Sequence, residues 1–428
     1  MKKILVLFMK DWDQLAIQSY QESGRYQFFF EGFDLFQFPQ NARLLNFRVL
    51  DYISHLEQKY RKIRLDGIIS NHEQYGALIA AVLAERLGLP GNDPRAIIVS
   101  QHKYYSRTTQ ETIVPEAVPR YAPIAFPLKK DQIIDLPYPF FVKPIKATYS
   151  VLARTIQRRS ELVDLLNFGY FEEWIIRRLV KPFADIMPLY SDHTVDPSGM
   201  LAEEIMTGDQ MNIDGYCYQG QPFFLGTIHE FMYPGTDAFM RFEYPPQLPP
   251  SIQERAQIIT KKVLETIHYQ HGFFNIEFIY NKANDQLKII EINPRMASQL
   301  VNLYQRVDGY NPYDILFELA VGEKPRVRQE PSQYQSAASF IFRKFGEPAT
   351  QVIPTSDQIQ QALAPYPDAN LMLYFKKGSQ LKRELKWLGS YRYAVLNLGG
   401  IDRSDLFERC RSISHTLQFD YPFESCGI

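Results

Sequence analysis

Residues 273–295, FFNIEFIYNKANDQLKIIEINPR, hold two apolar runs separated by a polar turn, and each run carries one glutamate. A carboxylate inside a buried strand is costly unless it is paired or meets a cation. Side chains alternate faces along a strand, so Glu291 and Asn293 project to one side while Ile292 projects to the other. Asn284 and Asp285 supply the turn, and pairing the two runs brings Glu277 beside Glu291. The spacing predicts two carboxylates and an amide oxygen converging on one point. Such hard oxygen ligands suit Mg2+ held together with phosphate oxygens. Arg295, just beyond, offers a fixed cation to an anion whose charge develops during reaction. Taken singly, each glutamate is also explained by exposure on a half-buried strand. The Glu-x-Asn spacing, the partner glutamate and the adjacent arginine weigh against that reading.

The rest of the chain bounds the setting. Its 428 residues exceed one ordinary core. With 22% charged residues, a net charge of −1 and no basic block, a nucleic-acid partner has no electrostatic support. Cys217, Cys410 and Cys426 form neither a metal spacing nor a disulfide framework, which points to a reducing compartment. The opening MKKILVLFMK is too short for a membrane span and reads as a first buried strand, so a cytoplasmic location is expected.

The predicted organisation is α/β. Residues 1–100 read as an open, mostly parallel sheet, with strands at Lys3–Phe8 and 66–70 and a helix over EQYGALIAAVLAERLGLP that stops at Gly88 and Pro90. Residues 101–200 hold two apolar strands around FFVKPIKATYS and a mixed segment, EEWIIRRLV. Residues 201–325 begin with antiparallel strands and continue into a helix whose stripe is Ile252, Ala256, Ile259, Val263 and Ile267. Ser251 and Glu254 are expected to cap that helix and Gly272 to end it. His268 and His271 read as charges at the helix end, and Cys410 as a core residue. Residues 326–428 are expected to form a small mixed C-terminal domain.

The motif FFNIEF…IIEINPRM resembles the metal-binding core of the ATP-grasp superfamily, and most of all its carboxylate–amine ligase and biotin-carboxylase-like branch. The resemblance spans roughly residues 100–325 and more loosely the flanking regions. It implies the ATP-grasp fold, with ATP and Mg2+ (Mn2+ as an alternative) as cofactors. Glu277, Glu291 and Asn293 are the implied metal ligands, and Arg295 the implied stabiliser of an acyl phosphate. Lys103, in SQHKYYSR, and Lys143, in FFVKP, stand where the family places lysines on ATP phosphates. In the loop KATYS, Ala147 replaces the usual glycine, whereas Thr148 and Ser150 keep hydroxyl donors. The hinge AEEIM places the backbone of Glu203, Glu204, Ile205 and Met206 at adenine, and Gln210 stands where a ribose-binding glutamate is usual. Arg241 is the implied basic residue for the γ-phosphate or the carboxylate, with His229 a lesser candidate. Ser298 and Gln299 are candidates to reach a substrate, in a segment that also reads as the ordinary helix closing the subdomain.

The implied activity is ADP-forming ligation of a small-molecule carboxylate to an amine, by a chain that acts without membrane or nucleic acid; homodimers are common in the family. Bicarbonate activation of the biotin-carboxylase type is the enzymatic alternative, and a non-catalytic ATP-binding module the other. The arginine beside the metal set favours an enzyme.

Overall fold

The computed structural model describes residues 1–34, 40–128, 132–146, 152–346, 353–376, 378, 381–382, 385 and 389–424. Ala147, Thr148, Ser150 and Cys426 lie outside the described residues.

The N-terminal region is built on three parallel strands, β1 (Lys2–Leu7), β2 (Tyr26–Glu31) and β3 (Gly67–Ile69), in the order β2-β1-β3. The run KKILVL is apolar because both its faces are covered. Leu5 and Leu7 share a core with the helices Val49–Ile63 and Gly76–Leu87, and Ile4 and Val6 share one with the helices Asp11–Glu22 and Pro312–Ala320. Gly67 lets the last of these approach, since a Cβ there would lie 2.2 Å from the Ala320 carbonyl oxygen. The helix expected before Gly88 ends there, with Gly88 at φ 66° donating to Ala84 and Glu85.

A second, antiparallel sheet contains β4 (Tyr121–Ile124), β5 (Phe140–Pro144), β6 (Arg154–Ile156) and β7 (Met200–Glu203), in the order β4-β7-β5-β6. Ile124, Phe140, Val142, Ile156, Met200 and Ala202 form its apolar face. The helix Arg159–Leu166 covers that face with Leu162, Leu165 and Leu166. The segment that reads as mixed, EEWIIRRLV, is part of a 21-residue helix, Tyr170–Tyr190. Pro182 and Pro188 stand inside it, and interior prolines hide its periodicity from the sequence.

The largest sheet has eight strands: β8 (Asp209–Tyr218), β9 (Gln221–Met232), β10 (Phe239–Tyr244), β11 (Gly272–Asn281), β12 (Gln286–Asn293), β13 (Ser336–Lys344), β14 (Asn370–Leu373) and β15 (Tyr391–Gly400). Their order is β12-β11-β8-β9-β10-β13-β15-β14. The strands of region 326–428 therefore extend the sheet that carries the two glutamates, joined to it through β10 and β13. The helix Pro250–Thr266 packs on one face with the predicted stripe, all buried. Its cap differs from expectation: Pro249 is the N-cap residue, so Ser251 lies within the first turn and its side chain does not cap. The stop also comes earlier, with His268 already at φ 55° and Gly272 opening β11. No helix among the described residues is long and apolar enough to cross a membrane.

Candidate active site

The hairpin β11–β12 sets Glu277 directly opposite Glu291 and Asn275 opposite Asn293. The register slips after Glu277: Phe278 faces Ile289, which leaves Ile290 as an extra residue in β12. Its carbonyl accepts from Arg107 Nη2 at 2.7 Å and from Lys143 Nζ at 3.3 Å. The slip lets Ile289 and Ile292 both enter the core, while Glu291 and Asn293 stay together on the other face. Asn293 Nδ2 donates to Glu277 Oε1 at 3.1 Å and to Glu291 Oε1 at 3.4 Å. Lys103 Nζ lies 3.3 Å from Glu291 Oε2.

The two carboxylates share charge unequally. Burial, and then the Glu291 charge, push Glu277 well above the usual carboxylate range. Burial also opposes ionisation of Glu291, but Lys103 and Lys143 outweigh it and hold that carboxyl below its ordinary value. Two acids pressed together in this way fit a divalent cation, which would let both ionise. Turning the Asn293 amide would present its oxygen as a third ligand. Among the described residues no group of three or more His, Cys, Asp or Glu side chains could hold a metal, so a cation at this pair would draw its further ligands from outside the carboxylates.

Behind the hairpin, Glu203 is fully buried between Lys143 Nζ and Arg107 Nε, each 2.7 Å away. Burial works against its ionisation, yet these cations bring it down to about 2. Glu203 also lies in the ladder between β4 and β5, and Glu204 N donates to Arg120 O at 2.9 Å. Of the four hinge residues, Glu203 ends β7 while Glu204, Ile205 and Met206 lie outside the strands. Gln210 donates to Glu277 Oε2 at 3.4 Å, beside the paired carboxylates.

Arg295 meets the N-terminal region. Its Nε lies 2.6 Å from Glu73 Oε1, and Lys10 Nζ lies 3.0 Å from the same oxygen. Lys10 and Glu73 follow the carboxyl ends of β1 and β3, the place where an open α/β sheet binds ligands. Burial opposes the Glu73 charge, but Arg295 and Lys10 keep it strongly ionised. Lys146 Nζ donates to Glu73 O at 3.1 Å; burial first, and then Lys103, lower its pKa to about 7. Glu73, Lys10, Arg107 and Lys146 all escape a reading of the sequence. Position after a parallel strand is the available signal for Lys10 and Glu73, whereas nothing local marks Arg107.

Arg241 and His229 do not belong to this cluster. In the ladder Arg241 opposes Phe231 and Phe340, Met211 opposes His229, and Glu230 opposes Phe242. Alternation therefore puts Arg241 and His229 on the face away from Glu277. Arg241 is fully buried, paired with Glu243 and set 3.8 Å over the Phe231 ring. Its role is in the core. His271 is not a helix-end charge either: its Nε2 contacts Leu319 O at 2.7 Å, and burial lowers its pKa. Cys410 is buried as expected. Gln299 Nε2 donates to Ser339 Oγ at 3.0 Å, and Ser298 is buried.

Residues 136–302 match the family model described as ATP-grasp domain. The central part of the chain is thus similar to the ATP-grasp domain. Solved structures share the chain's fold over nearly all of its length. The L-amino acid ligase from Bacillus licheniformis is 14% identical, with a TM-score of 0.68 over 98% of this chain and 99% of that one. The N5-carboxyaminoimidazole ribonucleotide synthetase from Thermus thermophilus is 14% identical, with a TM-score of 0.62 over 99% and 100%. The biotin carboxylase from Campylobacter jejuni is 13% identical, with a TM-score of 0.61 over 98% and 92%. At these identities the likeness shows the ATP-grasp fold. Comparison with curated proteins finds no match.

Proposed function

We propose that this protein is an ATP-grasp enzyme, an ADP-forming ligase that joins a small-molecule carboxylate to an amine. The observation that carries the reading is the juxtaposition of Glu277, Glu291 and Asn293 with the Arg295–Glu73 pair at the carboxyl ends of β1 and β3. One side is suited to a metal-bound triphosphate and the other to the acid that attacks it.

Glu277, Glu291 and Asn293 would hold Mg2+ or Mn2+, which would supply positive charge to the phosphate oxygens. Lys103 sits at the edge of that set and Lys143 behind it, and both would offer positive charge to phosphate. Arg295 orients the carboxylate and offsets charge on the transferring group, the term on which phosphoryl transfer depends most. A carboxylate oxygen forms a bond to the γ-phosphorus and ADP leaves. The amine nitrogen then bonds to the acyl carbon, the C–O bond to phosphate breaks, and the amine loses a proton.

The test is phosphate release from Mg-ATP across a panel of amino-acid pairs, with mass spectrometry of any condensed product. ADP should accumulate one for one with product, and AMP with pyrophosphate would sink the mechanism. A bicarbonate-plus-biotin arm checks the carboxylase alternative. Tight nucleotide binding without turnover on any arm would favour the non-catalytic module. The chain is proposed to act in the cytoplasm, and size-exclusion chromatography with light scattering decides between monomer and homodimer.

A further inference from the structure

We infer that the helix Tyr170–Tyr190 is a hinged strap through which the small four-stranded sheet and the substrate-side residue Glu73 are coupled. The inference rests on the proposed ATP site between the sheets.

This helix belongs to two cores. Toward its start, Ile176 packs against the core of the four-stranded sheet, and Arg177 Nη2 donates to Phe126 O at 3.3 Å. Toward its end, Phe183, Ile186 and Met187 are buried in the core that holds Val49, Leu78 and Ile98 of the N-terminal region. A helix of 21 residues spans about 30 Å, enough to bridge both bodies. Leu179 already packs against that second core, so the change-over falls between Ile176 and Leu179; Pro182 has no N–H for the Arg178 carbonyl, and this missing bond loosens the turn just after it.

The same point is gripped by the N-terminal region. Gln74 Nε2 donates to Leu179 O at 3.1 Å, one turn before the proline. The neighbouring Glu73 carbonyl accepts from Lys146, which follows β5 of the small sheet and lies 5.4 Å over the Phe183 ring. The Glu73 carboxylate in turn holds Arg295. Movement of the small sheet thus reaches residues 73–74 by two routes, the hinge and Lys146. Closure over nucleotide then repositions Glu73 and, with it, the arginine that faces the carboxylate substrate. Such coupling is reciprocal, so a ligand at Arg295 changes nucleotide affinity by the same factor.

Hydrogen exchange of the full chain, with and without a non-hydrolysable Mg-ATP analogue, tests this. Nucleotide should slow exchange in the small sheet and, together with it, in residues 71–76 and 178–187 by at least about threefold. In Gln74→Leu the analogue should bind within about threefold of wild type while the added protection at 71–76 falls away. Protection confined to the small sheet and the glutamate hairpin, with the analogue bound, overturns the strap alone. Failure of the analogue to bind overturns the strap and the proposed function together. Unchanged protection at 71–76 in Gln74→Leu removes Gln74 from the coupling and overturns the route through the hinge.

Discussion

Asn293 donates one amide to Glu277 at 3.1 Å and to Glu291 at 3.4 Å, and so ties together two carboxylates that face each other across the hairpin. The pair is electrostatically strained without a cation. Glu277→Gln should therefore leave the thermal midpoint in metal-free buffer equal to or above that of wild type. It should also remove the extra stabilisation that Mg-ATP gives and reduce ATP turnover by ~100-fold or more, the scale expected when a group that stabilises transferring charge is lost. Scanning fluorimetry and an ADP-release assay read the two effects, and normal Mg-dependent turnover in this variant would remove the hairpin from the mechanism.

Arg295 and Arg241 should separate cleanly. Arg295→Met should lower kcat/KM strongly with little change in nucleotide affinity. Arg241→Met should leave both within about twofold, because Arg241 occupies the opposite face of the sheet, but should cost stability by stranding Glu243 with Arg403 alone. Turnover and urea unfolding of both variants check this, and a selective loss of catalysis in Arg241→Met would contradict the register.

The Glu203 triad sets a pH dependence. Its folded-state pKa, about 2, lies below the ordinary 4.5, so its stabilisation is complete above about pH 5 and is lost as pH falls from 4.5 toward 2. Glu203→Gln should unfold more easily at neutral pH, with Lys143 and Arg107 left buried without their anion, and should show a flatter stability profile between pH 5 and 2. Denaturant midpoints across that range measure the slope.

Gly208 joins the small sheet to the large one at φ 142°, and a Cβ there would lie 2.1 Å from Tyr280 O. Gly208→Ala should displace the start of β8 and weaken nucleotide binding, since Gln210 and the hinge backbone follow from this junction. Isothermal titration with a Mg-ATP analogue checks it; affinity equal to wild type would show that the junction tolerates the shift.

The hairpin is legible in the sequence because everything it needs is local: alternation, a turn, and a spacing of two. The parallel strand β1 and the helix with the Ile252–Ile267 stripe are legible for the same reason. Arg241 is misplaced by sequence reasoning because distance along the chain from Glu277 says nothing about which face of a sheet a strand presents. Arg107 and Glu203 come from segments far apart in the chain and meet only through tertiary packing. The long helix escapes because its two prolines, ordinarily breakers, lie inside it, and its apolar residues serve two different cores. Ser251 fails as a cap because Pro249 and Pro250 have already set the helix entry.

Ile290 is a single surplus residue, and it works as a phase shifter. Counting outward from Leu287 and Ile289, which point to the core, an uninterrupted alternation would carry Glu291 inward and leave Ile292 outside. The extra residue reverses that parity for the last stretch of the strand only. Whether this sheet can gather its acids around a metal is thus decided by a bulge in one strand as well as by the acids in it. The same strand paired at its full length without the bulge would keep every glutamate and the same overall architecture, yet would turn its ligands into the hydrocarbon interior and present isoleucine to the nucleotide.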